Sequence, residues 1–152
     1  SKISEFAPST PPDIVLSLHA CDTATDEAIV QGILWNSKTI IAAPCCQHEL
    51  HQQINAPSLQ PILRHGILKQ RTADVITDAL RALVLRIMGY RTDVVEFVSP
   101  EHTSKNLMIR AVKALKPGDR AHVQEYRDLK DFWGVSPCIE ELLGDEFKQY
   151  LV

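Results

Sequence analysis

The stretch TIIAAPCCQHEL, residues 39–50, decides how this chain is read. Its first half is a run of small and apolar residues that reads as a buried strand. Pro44 closes the run, because proline cannot donate to a strand ladder. The text that follows is dense in reactive groups: Cys45, Cys46, His48 and Glu49. A strand end this polar is seldom made for packing, so the question is what it faces.

Working outward, DIVLSLHA (13–20) is a second apolar run, introduced by STPP and ending in His19, Cys21 and Asp22. It too reads as a buried strand. Between the two runs lies TATDEAIVQGILWN. Thr23 is the expected N-cap, Asp26 stands in capping-box position, and Ala28, Ile29, Ile33 and Leu34 form a helical stripe. Strand, helix, strand implies parallel pairing. Both polar ends then open on one edge of a sheet, where ligands of open α/β folds bind. Neighbouring strands lie about 4.8 Å apart. His19, Cys21 and Asp22 are therefore expected to meet Cys45, Cys46, His48 and Glu49 in one crevice.

Downstream, residues 47–60 read as a short helix and a loop punctuated by proline. TADVITDALRALVLRIMGY (72–90) is the clearest helix. Thr72 is its expected cap, Val75, Ile76, Ala79, Leu80, Leu83 and Ile87 form one face, and Gly89 is its stop. RTDVVEFVS alternates as a strand does; KNLMIRAVKAL reads as either a strand or a helix, and its nearness to the previous strand, across PEHTS, favours a hairpin. VQEYRDLKDFW is a helix with Val123, Tyr126, Leu129, Phe132 and Trp133 at helical spacing. SPCIEELL starts another, capped by Ser136 with Pro137 in its first turn. The expected architecture is α/β: parallel strands ending in an antiparallel hairpin, with flanking helices.

The chain has 152 residues and a formal net charge of −3. No stretch approaches the roughly 20 apolar residues of a membrane helix, and the start, SKISEFAPSTPPD, reads as a continuation from mid-protein without a secretory signal. The four cysteines, Cys21, Cys45, Cys46 and Cys138, do not read as a disulfide framework, which points to a reducing cytoplasm. Charge is uneven. Residues 61–120 carry eleven basic and six acidic side chains, between flanks where acidic groups dominate. A basic middle fits either solvated helix faces or an anionic partner such as RNA. Arg64, Lys69, Arg71, Lys105 and Arg110 are the candidate phosphate contacts, with Pro44 beside them as a substrate-side residue. His65, His102 and His122 stand alone and read as surface residues.

Three readings compete for the cysteines. They are small buried side chains. They supply a thiolate nucleophile, activated by His48. Or Cys21, Cys45 and Cys46 bind zinc with His48 and His51, although adjacent cysteines without a C-x-x-C pair are poor zinc text. Glu49 and His48 serve either as a general base or simply as the start of a helix.

LHACDTATDEAI, followed about twenty residues later by APCCQHEL, resembles an uncharacterised family of class I S-adenosylmethionine-dependent methyltransferases that carry LHACDTATD and PCCxHEL signatures. EFVSPEHTSKNLMIRAVK resembles that family's late hairpin. The resemblance implies a Rossmann-like sheet in which the two parallel strands are the fourth and fifth of seven. It implies S-adenosylmethionine as cofactor, with Leu18, His19 and Ala20 near it. His19, Cys21, Asp22, Cys45, Cys46, His48 and Glu49 become the candidate catalytic residues, and the acceptor is expected to be RNA, with transfer RNA as one candidate. One departure is large. The class carries a glycine-rich turn after its first strand, and none of the six glycines here stands in a G-x-G pattern. Residues 1–120 are therefore expected to be the C-terminal half of such a domain, and 121–152 a helical extension. A half-sheet exposes one strand edge, so the fragment is expected to form a homodimer through it. The alternative is a zinc-binding or non-catalytic interaction module built on the Cys/His cluster.

Overall fold

The computed structural model describes residues 3–97 and 106–152. Its elements, in chain order, are β1 (Ile14–Leu18), α1 (Thr23–Leu34), β2 (Thr39–Ala43), α2 (Glu49–Gln53), α3 (Gln60–Leu63), α4 (Gly66–Ile87), β3 (Tyr90–Glu96), β4 (Leu107–Lys113), α5 (Arg120–Trp133), α6 (Cys138–Leu143) and α7 (Asp145–Lys148). The four strands make one open sheet in the order β1-β2-β4-β3. β1 and β2 are parallel, Val15 opposite Ile40 and Ser17 opposite Ala42. β4 runs antiparallel to both β2 and β3. The expected strands and the expected hairpin are present, and the hairpin's second strand inserts between its first and β2. The result is a mixed α/β fold, compatible with part of a Rossmann-like sheet.

One face of the sheet is dressed and the other is bare. Val15, Ile40, Ala42, Ile109, Ala111 and Tyr90 share the covered face and are all buried. The helices α1 and α4 supply the other side of this core with Ile29, Val30, Ile33, Ile76, Leu80, Leu83, Val84 and Ile87. Gly32 sets the distance between α1 and the sheet. A Cβ there would stand 2.8 Å from the Ile40 side chain and 3.4 Å from Val15, so glycine's cost inside a helix is offset by close approach. The residues of α5 to α7 extend the same core: Val123, Tyr126, Ile139, Leu143 and Phe147 are buried within it.

On the opposite face Ile14, Leu16 and Leu18 are 61%, 59% and 56% exposed. The reading of β1 as buried on both sides is thus corrected. Its inner residues are covered, but among the described residues no helix packs on its outer ones, and β1 pairs only with β2.

Several local expectations also change. α4 starts at Gly66, six residues before the expected cap, and the Thr72 hydroxyl donates to Leu68 O at 2.8 Å inside the helix. Val75 is 69% exposed, Leu34 49% and Phe132 59%, so each leaves the apolar face to which its spacing assigned it. α6 is preceded by Pro137 at its cap position, one residue beyond Ser136. Gly89, at φ 99°, ends α4 as expected. His65 is exposed and His122 half-buried. His102 and Lys105 lie outside the described residues.

Candidate functional site

The site is built where β1 and β2 end side by side. The parallel ladder runs one step beyond the end of β1, the His19 N–H donating to Ala43 O, at the end of β2, at 3.1 Å. The chain then turns sharply. His19 and Asp22 both adopt left-handed φ values, 54° and 51°, a region in which histidine and aspartate are enriched among non-glycine residues. Holding each there costs about 1–3 kcal/mol unless the surroundings enforce it. They do. The Asp22 N–H donates to Cys46 O at 2.8 Å, the Thr25 hydroxyl donates to Ala20 O at 2.8 Å, and Arg81 Nη2 donates to Asp22 O at 3.0 Å.

Asp22 is the hinge pin of this arrangement. Its carboxylate Oδ1 accepts the backbone N–H groups of His48 (3.0 Å) and Glu49 (3.1 Å). It therefore caps the start of α2, across the crevice, rather than its own helix. The expected capping box at the start of α1 does not form: Thr23 is the first helical residue, and Asp26 is turned inward. Asp26 is 2% exposed and Arg81 1%. Arg81 Nε and Nη2 grip the two Asp26 oxygens at 2.7 and 2.8 Å, and Nη1 reaches Asp78 at 3.2 Å. Burial alone would lower the Arg81 pKa, but hydrogen bonds and charge from Asp26 and Asp78 outweigh it and hold the guanidinium above its ordinary value. Gln47, also buried, donates to Asp78 at 2.7 Å and accepts from Gln70 Nε2 at 2.7 Å through its backbone oxygen. The first part of α4 is thus tied to the polar strand end.

Three thiols meet inside this frame. Cys21 Sγ lies 3.4 Å from Cys45 Sγ, and Cys45 Sγ lies 3.8 Å from Cys46 Sγ. All three sulfurs lie within 4.8 Å of one another. None is in a disulfide. Cys21 is exposed and the other two half-buried. Hydrogen bonding to Cys46 and then Cys45, with the repulsion of their charges, pushes the Cys21 thiol up to about 12. At neutral pH Cys21 is a thiol, which does not favour a free nucleophile there.

Glu49 is occupied elsewhere. Its Oε1 accepts the Cys138 N–H at 2.6 Å, at the start of α6. Desolvation raises its pKa, partly countered by that hydrogen bond. Ser136 N–H to Gln53 Oε1 (2.8 Å) and Asn55 N–H to Trp133 O (3.2 Å) hold the 133–138 segment against α2. Cys138 Sγ is 3.7 Å from Asp26 Oδ2.

Of the expected site residues, His19, Cys21, Asp22, Cys45, Cys46, His48 and Glu49 stand together at the two strand ends. Leu18 and His48 are exposed, Ala20 is half-buried and Pro44 is buried. The close sulfur group contains neither His48 nor His51. Arg64 and Arg71 are exposed and Lys69 half-buried. Of this stretch only Gln70 reaches the strand end, through Gln47 O; Arg71 lines a cleft between α4 and α5 instead. Arg110 is on β4, opposite Ile41. It sits on the bare face, paired across strands with Asp93 at 2.9 Å. Two open clefts, of about 390 and 710 Å³, run along α4 and α5, and neither is lined by a strand-end residue.

Arg81, Asp78, Gln47 and Gln70 escaped the sequence reading, which gave Asp26 only a capping role. One signal was available: Asp78 and Arg81, three apart, interrupt the most apolar part of α4.

No curated protein and no solved structure matches this chain. Residues 2–53, which hold β1, α1, β2 and both polar strand ends, match a family model described as a methyltransferase domain.

Proposed function

We propose that this chain is the acceptor-side half of an S-adenosylmethionine-dependent methyltransferase acting on RNA. The observation that carries the proposal is the strand order β1-β2-β4-β3 with β4 reversed, joined to the methyltransferase-domain match over the two strands that carry the site. A late hairpin with one strand antiparallel to the parallel pair is the arrangement the class I resemblance leads one to expect.

The described residues do not by themselves fit the adenosyl part of such a cofactor. The turn after β1 has no glycine. Its His19 and Asp22 N–H groups are already given to Ala43 and Cys46 oxygens, and Ala20 O to Thr25. What this chain supplies is the other wall. Arg81 and Thr25 lock the 19–22 turn. Asp22 then fixes where His48 and Glu49 begin α2. His19 and Cys21 line one side of the crevice and His48 the other, so that an acceptor is aligned rather than covalently activated. Lys69 and Arg71, on the same stretch of α4 as Gln70, are candidate contacts for a phosphate backbone.

The test has two arms. Isothermal titration of residues 1–152 with S-adenosylmethionine is expected to show no binding tighter than millimolar. A chain extended upstream by a glycine-rich strand–turn–helix unit is expected to transfer a labelled methyl group to RNA. Micromolar binding by residues 1–152 would overturn the half-site reading, and failure of the extended chain to methylate any RNA would overturn the acceptor class.

A further inference from the structure

We propose that Cys21, Cys45 and Cys46 form a three-thiolate site for one zinc ion, with a fourth coordination position left open to water or an exogenous ligand. The geometry of the sulfurs carries the inference. Zinc–sulfur bonds are about 2.3 Å long and tetrahedral, which places ligand sulfurs about 3.8 Å apart. Cys21 to Cys45 is 3.4 Å and Cys45 to Cys46 is 3.8 Å, with all three within 4.8 Å. The three thus approximate one face of such a tetrahedron before any ion arrives. A disulfide would need about 2.05 Å between two of them and would leave the third idle.

The ligands come from two segments that the backbone has already locked together. His19 N–H to Ala43 O and Asp22 N–H to Cys46 O bracket the sulfurs on both sides. The Asp22 carboxylate then pins the chain after Cys46 through His48 and Glu49. This is why adjacent cysteines serve here without a C-x-x-C pair: the loop after Pro44 is shaped by its neighbour strand rather than by its own spacing. Thiolates select zinc or cuprous copper over hard cations such as magnesium. Each thiol loses its proton on coordination, so one divalent ion displaces three protons and leaves a three-thiolate complex of net charge −1.

Neither His48 nor His51 belongs to the group, and Cys21 is exposed. A site with three protein ligands and solvent at the fourth position is the open kind, and this one stands at the carboxyl edge of the sheet. The second group of ligating types, Asp26, Glu49 and Cys138, is different. Asp26 is gripped by Arg81 and Glu49 by the Cys138 N–H, so its oxygens are committed.

The test is cobalt titration of the reduced, metal-free chain under argon, followed by absorption. The expected result is one cobalt per chain, with a thiolate-to-cobalt charge-transfer band and the ligand-field bands of a tetrahedral ion, both abolished by zinc. Cys21→Ser and Cys46→Ser are expected to weaken binding roughly tenfold or more, and Cys138→Ser to leave it unchanged. Alkylation mapping of the unmutated chain guards against misfolded variants: zinc should protect Cys21, Cys45 and Cys46 together and not Cys138. Absence of the charge-transfer band overturns the site. So does binding that survives Cys21→Ser, or protection that tracks Cys138. None of these readouts depends on methyl transfer, so the site and the methyltransferase reading stand or fall separately.

Discussion

Replacing Arg81 by methionine should be among the most damaging single changes in this protein. The guanidinium is 1% exposed. It makes a two-pronged contact to Asp26 at 2.7 and 2.8 Å, a third to Asp78 at 3.2 Å and a fourth to Asp22 O at 3.0 Å. Methionine fills much of the volume but leaves the Asp26 carboxylate, 2% exposed, without its cation. Breaking a buried pair from one side costs about 3–5 kcal/mol, a large share of the roughly 5–15 kcal/mol that holds a domain folded. Arg81→Lys keeps the charge but loses the fork, and should cost about 1.5–3 kcal/mol. The decisive measurement is the double variant Arg81→Met with Asp26→Asn. If the damage comes from a stranded carboxylate, neutralising that carboxylate should recover about 2 kcal/mol or more, read as a coupling energy. Urea unfolding at neutral pH, followed by the fluorescence of Trp35 and Trp133, supplies all three numbers. The reasoning is refuted if Arg81→Met costs less than about 1 kcal/mol, or if the double variant costs the full sum of the singles.

Three further outcomes are expected. Asp22→Ala should cost about 1 kcal/mol, the usual value of a lost cap, and should speed amide exchange at His48 and Glu49; unchanged exchange there would deny Asp22 its bridging role. Glu49 has a folded pKa raised above 4.5, so its ionised form is disfavoured in the folded state. Stability relative to Glu49→Gln should be level below that value and should fall as pH rises through the folded pKa; urea midpoints across a pH series that run parallel for the two proteins would contradict this. The exposed β1 edge, with Ile14, Leu16 and Leu18 beside it, should drive self-association. Sedimentation at micromolar concentration is expected to show a species larger than 17.0 kDa, reduced to monomer by Leu16→Glu, and a clean monomer of the unmutated chain would remove the homodimer.

How much of this was legible in the text depended on distance along the chain. β1 and β2 were readable because short apolar runs end abruptly in polar ones. The meeting of Cys21 with Cys45 followed from parallel pairing alone, since equal strand lengths bring equal ends together. KNLMIRAVKAL was ambiguous between strand and helix, and only its nearness to the previous strand resolved it. The true start of α4 was hidden because Gly66 follows His65 with no serine, threonine or aspartate at the boundary, while Thr72 imitated a cap that its bond to Leu68 O denies it. Asp26 imitated a capping box in the same way. Its real partner, Arg81, lies 55 residues away, beyond any local pattern. Val75 and Phe132 had the spacing of core residues, but they line the open clefts along α4 and α5 instead. Periodicity reports which way a side chain points, not whether anything is there to meet it.

The insertion of β4 between β2 and β3 also sets an order of events during synthesis. β1, α1 and β2 can dock as soon as residue 43 has emerged, because their contacts are close in sequence. β3 cannot join them. The place beside β2 belongs to a strand that does not yet exist, and β3 touches the sheet only through it. Until residue 113 leaves the ribosome, β2 holds a vacant edge and the growing chain carries two unconnected pieces of sheet. A pause that leaves residues 97–107 at the mouth of the ribosomal tunnel would therefore hold the nascent protein at its most adhesive, with strand edges on β1, β2 and β3 all open to a neighbouring chain.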